Sequence, residues 1–240
     1  MIFAYDIINI ENPRASTEKL MLEADLYQQI NMLEVAIDKI QAAIQLEPND
    51  PILHFALAEL LYFDGQYLRA TTEYETVLET GEYEVNGINL FSRQADCSLQ
   101  SGNYSDAISL FDEINEEEMN SEDYFKKSIA YEKNDLTQEA IKIMQTLLSK
   151  DPDFIQGYFY LQSLFENEKN YPDAIETGKE GLRLNQFYKE LMVSTGSLEI
   201  EHGDANEGVE LLKKALEVDN AYHEPLLILS DLFRQEEDYE

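Results

Sequence analysis

The sequence predicts an all-α fold, built as a solenoid of tandem helix–turn–helix repeats. A small residue recurs at intervals of 34, 37, 33, 34 and 34 residues, at Ala36, Ala70, Ala107, Ala140, Ala174 and Gly208. A fixed period of this size is typical of repeat arrays, and a small side chain lets two helix axes cross closely. Gly and Pro, which helix interiors avoid, number only 10 and 6 among 240 residues. The period and the composition together indicate paired helices.

The helices of the second unit can be read directly from the pattern. Apolar residues at helical spacing predict a first helix over Pro51–Phe63 and a second over Tyr67–Leu78. Gly65 lies in the turn between them and fits the left-handed conformation that ends a helix. Gly102 and Gly203 stand at the same place in later units. We therefore expect every unit to be two helices joined by a tight turn.

Two stretches depart from this pattern. Residues 79–87 carry a three-residue excess, which is expected to lengthen a helix or to shift one unit relative to the next. Gly178 and Gly181 replace larger residues on a second helix, where each costs about 1 kcal/mol against alanine. The sequence leaves open whether these glycines form a thin packing seam, or instead a hinge or close-contact surface.

The second unit resembles the tetratricopeptide repeat (TPR), a helix–turn–helix unit of about 34 residues, through Leu57, Ala58, Leu61, Gly65, Tyr67, Ala70 and Tyr74. On that register the array comprises 17–50, 51–87, 88–120, 121–154, 155–188, 189–222 and an incomplete 223–240. Residues 1–16 are expected to be an N-terminal cap or the remnant of an earlier helix. The resemblance implies a right-handed superhelix whose first helices line a concave groove, in a bacterial cytosolic TPR protein.

Charge and hydropathy narrow the classes of partner. The chain has 49 acidic and 17 basic residues, for a formal net charge of -32. Such a surface repels phosphate backbones and anionic lipid, so we expect neither a nucleic-acid nor a membrane partner. No apolar run approaches the roughly 18 residues of a membrane span, and Cys97 has no second cysteine with which to form an internal disulfide. We predict a cytoplasmic protein.

Catalytic chemistry has no candidate in the sequence. On the repeat register His54 lies on the packing face, His202 in a turn and His223 at a helix start. Cys97 is expected to be a buried, inert thiol. No Cys/His pair has metal-ligand spacing, and no Gly-rich phosphate loop is present. We therefore predict no enzymatic activity, no metal and no cofactor.

In the TPR family, first-helix positions at spacing i, i+3, i+7, i+10 and i+11 face the groove. The candidate partner-binding residues at these positions are acidic or aromatic: Phe55, Glu59, Tyr62, Phe63, Asp96, Phe125, Glu132, Phe159 and Glu166, to which later units add Glu190, Glu201 and Glu224. Carboxylates attract cations, and aromatic faces bind Arg and large apolar side chains. The expected partner is a protein or peptide segment with basic and hydrophobic residues.

The interpretation is a non-catalytic adaptor. Two alternatives stay open: a structural or self-associating scaffold, in which copies of the chain form a homo-oligomer, and a ligand-sensing regulatory module.

Overall fold

The computed structural model describes residues 13–238, with side chains for residues 14–232 and 234. The chain divides into two compact units, one ending at Met119 and one beginning at Asn120. Within each unit, consecutive helices pack against one another in pairs. The predicted all-α repeat fold is confirmed.

The described part of the first unit contains six helices: α1 Pro13–Gln29, α2 Leu33–Leu46, α3 Pro51–Phe63, α4 Tyr67–Leu78, α5 Leu90–Gln100 and α6 Tyr104–Asp112. Helices α3 and α4 have the bounds that the apolar pattern predicts. Residues 13–16 lie within α1. Residues 1–12 lie outside the described residues.

The three-residue excess at 79–87 does not lengthen α4, which ends at Leu78, and residues 84–89 form a β-hairpin instead. Strand β1, Glu84–Val85, pairs antiparallel with β2, Ile88–Asn89. The two-residue loop is Asn86-Gly87, with φ of 53° and 78°. Asn-Gly is the favoured sequence for a type I′ turn, which needs positive φ at both positions. This dipeptide between β-forming residues was the sequence signal for the hairpin.

The described part of the second unit contains seven helices: α7 Ser121–Lys133, α8 Thr137–Lys150, α9 Ile155–Asn167, α10 Tyr171–Leu184, α11 Lys189–His202, α12 Ala205–Val218 and α13 His223–Asp238. Helix α7 begins with a capping box. The Asn120 side chain accepts the Asp123 N–H at 3.0 Å, and Asp123 accepts the Asn120 N–H at 3.2 Å. The reciprocal bonds satisfy two backbone donors that the helix leaves unpaired.

The periodic small residues occupy the close helix crossings. Ala36, Ala70, Ala107, Ala140 and Ala174 are all fully buried. At Gly208 even a Cβ atom would lie 2.5 Å from the Gly196 carbonyl oxygen. A larger side chain at these positions would push the helices apart. The small residues therefore recur in the sequence at the interval at which the helix crossings recur in the structure.

Five of the six described turns between paired helices use left-handed backbone, at glycine in two of them, and the prediction for Gly203 is wrong. Gly65 and Gly102 have φ of 75° and 78°, whereas Gly203 has φ of −134°. Gly203 instead makes room for Glu199, whose carboxylate accepts the Asp204 N–H at 2.6 Å. Other turns place non-glycine residues in the left-handed region, namely Asn31, Asp135 and Lys169.

Gly178 and Gly181 allow α10 to approach both of its neighbours. A Cβ atom at Gly178 would lie 2.5 Å from Gln162 Nε2 and closer still to Thr195 Oγ1. One at Gly181 would lie 2.6 Å from the Leu191 Cδ2 methyl. Helix α10 runs without interruption through both glycines. Both glycines are buried where α10 packs tightly against its neighbours, which is the geometry of a packing seam.

Candidate functional site

The first unit places Phe55 in the helix core. Phe55 is only 6% exposed, and its ring centroid lies 6.3 Å from that of Tyr74. A side chain buried to this degree stabilises the α3–α4 pair and is not available to a partner. The expectation that Phe55 is an exposed anchor is corrected, because its position on α3 faces α4.

Glu59 is neutralised by a base that the groove pattern omits. Arg93 of α5 forms an ion pair with the Glu59 carboxylate, with Nε–Oε1 at 3.0 Å and Nη2–Oε2 at 3.1 Å. The Tyr74 hydroxyl also donates to Glu59, and the guanidinium lies 4.8 Å from the centroid of the Tyr62 ring. The Glu59 carboxylate is therefore engaged within the unit and does not face a partner as a free charge.

Asp96 is likewise enclosed. It is 2% exposed and accepts a hydrogen bond of 2.5 Å from the Tyr62 hydroxyl. Burial and the Asp96 charge both raise the pKa of Tyr62. Of the candidates in this unit, Phe63 is the most exposed, at 56%.

The internal pairs join the neighbouring first helices α3 and α5. Glu59 and Arg93 are 34 residues apart, as are Tyr62 and Asp96. Because the interval between these two units is 37 residues, each partner lies three residues, or about one helical turn, before the equivalent position of the other. The repeat period therefore did not identify Arg93 as the partner of Glu59.

In the second unit, Phe125 and Glu132 lie on α7. The Phe125 ring contacts those of Phe154 and Tyr160, with centroids 5.5 and 5.2 Å apart. The Glu132 carboxylate lies 3.1 Å from Lys133 Nζ. Neither candidate belongs to the lining of the recess that contains Phe159 and Glu166.

Phe159 and Glu166 do line a common recess, which we call the acidic recess. It has a volume of about 350 Å³ and is lined by Phe159, Glu166, Glu190, Val193, Ser194, Ser197, Leu198, Glu201, Tyr222 and Glu224. These residues come from α9, α11 and the start of α13, which are the first helices of successive repeats, and from the turn just before α13. Four lining residues are carboxylates, and none is a base.

The walls of the acidic recess combine charge with aromatic surface. The Tyr222 hydroxyl donates to Glu224 Oε2 at 2.7 Å, and burial followed by this bond raises the pKa of Tyr222 to about 12. The nearby Lys189 ammonium lies 2.5 Å from Asp219 and over the Tyr222 ring, 4.9 Å from its centroid. The bond to Asp219 and, to a smaller extent, the charge of the lining residue Glu190 raise the pKa of Lys189, so this cation offsets part of the charge of one lining carboxylate. Tyr222 was missed by the groove pattern, since it lies in the turn just before α13.

The titratable residues considered for catalysis have structural partners. Cys97 is 1% exposed, and burial raises the pKa of its thiol to about 12, as expected for an inert thiol. His202 stacks on Tyr171 with ring centroids 3.5 Å apart, and His54 lies 2.7 Å from the Glu73 carboxylate.

Across the part of the chain that the structure describes, no group of three or more His, Cys, Asp or Glu side chains could hold a metal ion. Among the helices described there, none is both long and apolar enough to cross a bilayer.

Comparison with known proteins extends the similarity over most of the chain. A model for YpiA-like tetratricopeptide repeats matches residues 28–82. The chain is 32% identical over 223 residues to the TPR repeat-containing protein YpiA of Bacillus subtilis (strain 168), covering 93% of this chain. It spans about half the length of YpiA, 52%.

Two solved structures share the fold. YrrB, described as a TPR protein with an unusual peptide-binding site, is 15% identical, with a TM-score of 0.61 over 80% of this chain and 97% of its own. Pseudomonas aeruginosa pilF is 12% identical, with a TM-score of 0.64 over 91% of this chain and 99% of its own. With the buried small residues at the repeat period and the paired helices, these similarities lead to one conclusion: the chain is a tetratricopeptide repeat protein.

Proposed function

We propose that this protein is a non-catalytic adaptor that holds a basic, hydrophobic peptide segment in the acidic recess of its second unit. The observation that carries the proposal is the lining of the recess, in which four carboxylates surround aromatic and apolar side chains without a lining base. TPR proteins are protein-interaction scaffolds, and the fold neighbour YrrB is described as having a peptide-binding site. We also propose a bacterial cytoplasmic setting, on the similarity to YpiA.

The chemistry of the recess favours arginine and lysine. Glu166, Glu190 and Glu201 converge on one opening, so a cation entering it meets several carboxylates within a Debye length of about 8 Å. Phe159 is 36% exposed and offers an aromatic face on which a guanidinium can lie. Val193 and Leu198 provide apolar contact for a neighbouring hydrophobic side chain. The carboxylates are expected to speed association, and the apolar contacts to supply most of the affinity.

The experiment is a fluorescence-polarisation titration with a fluorescein-labelled peptide of alternating arginine and phenylalanine. We expect binding that weakens as salt rises, and no binding of the matched peptide in which glutamate replaces every arginine. The double variant Glu190→Gln, Glu201→Gln should weaken binding about tenfold, the equivalent of ~1.4 kcal/mol for two partly exposed charges.

The matched control is Glu176→Gln, Glu180→Gln on α10, which removes the same two charges at exposed positions outside the recess. It should leave binding within about twofold of the unaltered protein, since distant exposed charges are screened. Equal weakening by the two double variants would mean that the peptide responds to net charge and not to the recess. Failure of the arginine–phenylalanine peptide to bind would refute the proposed preference.

A further inference from the structure

The first unit exposes an apolar stripe along α1. Leu22, Leu26 and Ile30 are 65%, 62% and 63% exposed, and their spacing of four residues puts them on one face of the helix or its end. At 1.5 Å per residue the stripe is about 12 Å long. A contiguous apolar patch of this kind, in a chain with a net charge of -32, marks an interaction surface.

The second unit contains an apolar recess that shares no residue with the acidic recess. It has a volume of about 610 Å³ and is lined by Leu182, Gln186, Phe187, Met192, Leu211, Lys214, Glu217 and Val218. Phe187 is 65% exposed and Val218 is 42% exposed. The recess lies between α10, the connection to α11, and α12. A concave apolar surface of this form accepts the apolar face of a helix.

The charges beside the two surfaces are opposite. Asp25 is exposed on α1 between Leu22 and Leu26, and within the described residues it forms no ion pair. Lys214 is exposed among the lining residues of the apolar recess and, in the same part of the chain, also forms no ion pair. On α1, Lys19 already pairs with Glu23 at 3.7 Å. The charge that the stripe offers is therefore the Asp25 carboxylate, which is opposite in sign to Lys214.

We propose that the protein self-associates head to tail, with the α1 stripe of one copy seated in the apolar recess of a second copy. Leu22, Leu26 and Ile30 fill the recess, and Asp25 lies beside Lys214 of the second copy. Shape and charge together favour this occupant, because a convex helix face meets a concave apolar recess. Each copy keeps one unused surface of each kind, so the contact is heterologous and extends into open chains or closed rings. This interaction is separate from peptide binding in the acidic recess.

The test is size-exclusion chromatography with light scattering, across protein concentrations from about 1 μM to 1 mM, the range expected for a small interface. The unaltered protein should rise above the monomer mass of 27.7 kDa. Leu26→Glu and Phe187→Glu should each remain monomeric, because a glutamate in either surface places an unpaired charge in the contact. An equimolar mixture of the two variants should form dimers and stop there, since each variant retains one intact surface. Circular dichroism checks that both variants stay helical.

The matched control is Leu68→Glu, at a residue 71% exposed on α4, which should leave self-association unchanged. Charge reversal gives a second test: Asp25→Lys should weaken association several-fold, and adding Lys214→Asp to the same chain should restore it. Monomers at every concentration would overturn the proposal. So would a Phe187→Glu variant that associates as well as the unaltered protein, which would indicate pairing of α1 with α1, or a variant mixture that stays monomeric.

Discussion

Replacing Gly178 with alanine tests the close approach of α10 to its neighbours. The added Cβ atom would lie 2.5 Å from Gln162 Nε2 and nearer to Thr195 Oγ1. Gln162 is fully buried, and its Nε2 donates a 3.0 Å hydrogen bond to Thr195 Oγ1. The substitution must therefore displace the Gln162–Thr195 pair that joins α9 to α11, since both side chains are fully buried.

The magnitude follows from three contributions. Overpacking of a buried site costs about 1 to 3 kcal/mol. Loss of the buried Gln162–Thr195 hydrogen bond adds about 1 to 3 kcal/mol. The higher helix propensity of alanine offsets these losses by about 1 kcal/mol. Taking the middle of each range, we expect Gly178→Ala to lower the free energy of unfolding by about 3 kcal/mol, although alanine is the better helix former.

The assay is urea unfolding followed by far-ultraviolet circular dichroism, with the midpoint and slope compared among variants. Glu180→Ala is the control on the same helix, because Glu180 is exposed, and its free energy of unfolding should change by less than about 0.5 kcal/mol. Thr195→Ala should destabilise alone by leaving Gln162 Nε2 unpaired. The double variant Gly178→Ala, Thr195→Ala should lose less stability than the sum of the two single variants, because Thr195→Ala removes the oxygen that the new methyl group would contact. A Gly178→Ala protein as stable as the original would refute the close packing described here.

Three further predictions address packing and charge. Ala140→Leu and Ala174→Leu should each lower stability by about 1 to 3 kcal/mol, because both alanines are fully buried, and thermal melts would measure it. The loss of stability caused by His54→Gln should be largest below about pH 6.5. Burial lowers the pKa of His54, but the bonds to Glu73 and to the Pro48 carbonyl outweigh burial, so the pKa is raised. This stabilisation is lost as pH rises through the raised value, so melts of both proteins should converge at high pH. Added salt or mild acid should raise the melting midpoint, because both reduce repulsion at a net charge of -32, and a maximum at high pH and low salt would contradict this.

The sequence by itself determined the helices and their repeat. Apolar spacing placed α3 and α4 at their observed bounds, and the periodic small residues identified the close crossings, with Ala70 and Ala107 fully buried. These features are encoded locally, since a helix needs only periodicity and a terminating turn. The sequence also predicted that the first helices present acidic and aromatic side chains, and two of the predicted residues, Phe159 and Glu166, line the acidic recess.

The tertiary structure decided which of those side chains remain available. Phe55 and Asp96 occupy groove positions in the sequence pattern, yet both are buried, and Glu59 is paired with Arg93. Whether a charge is exposed or neutralised depends on rotamers and on a neighbouring helix about 34 residues away, which the spacing within one helix does not specify. The glycine at 178 shows the same limit, because its role is set by the side chains of two other helices. Local periodicity fixes the helices, but only their packing decides which side chains a partner can reach.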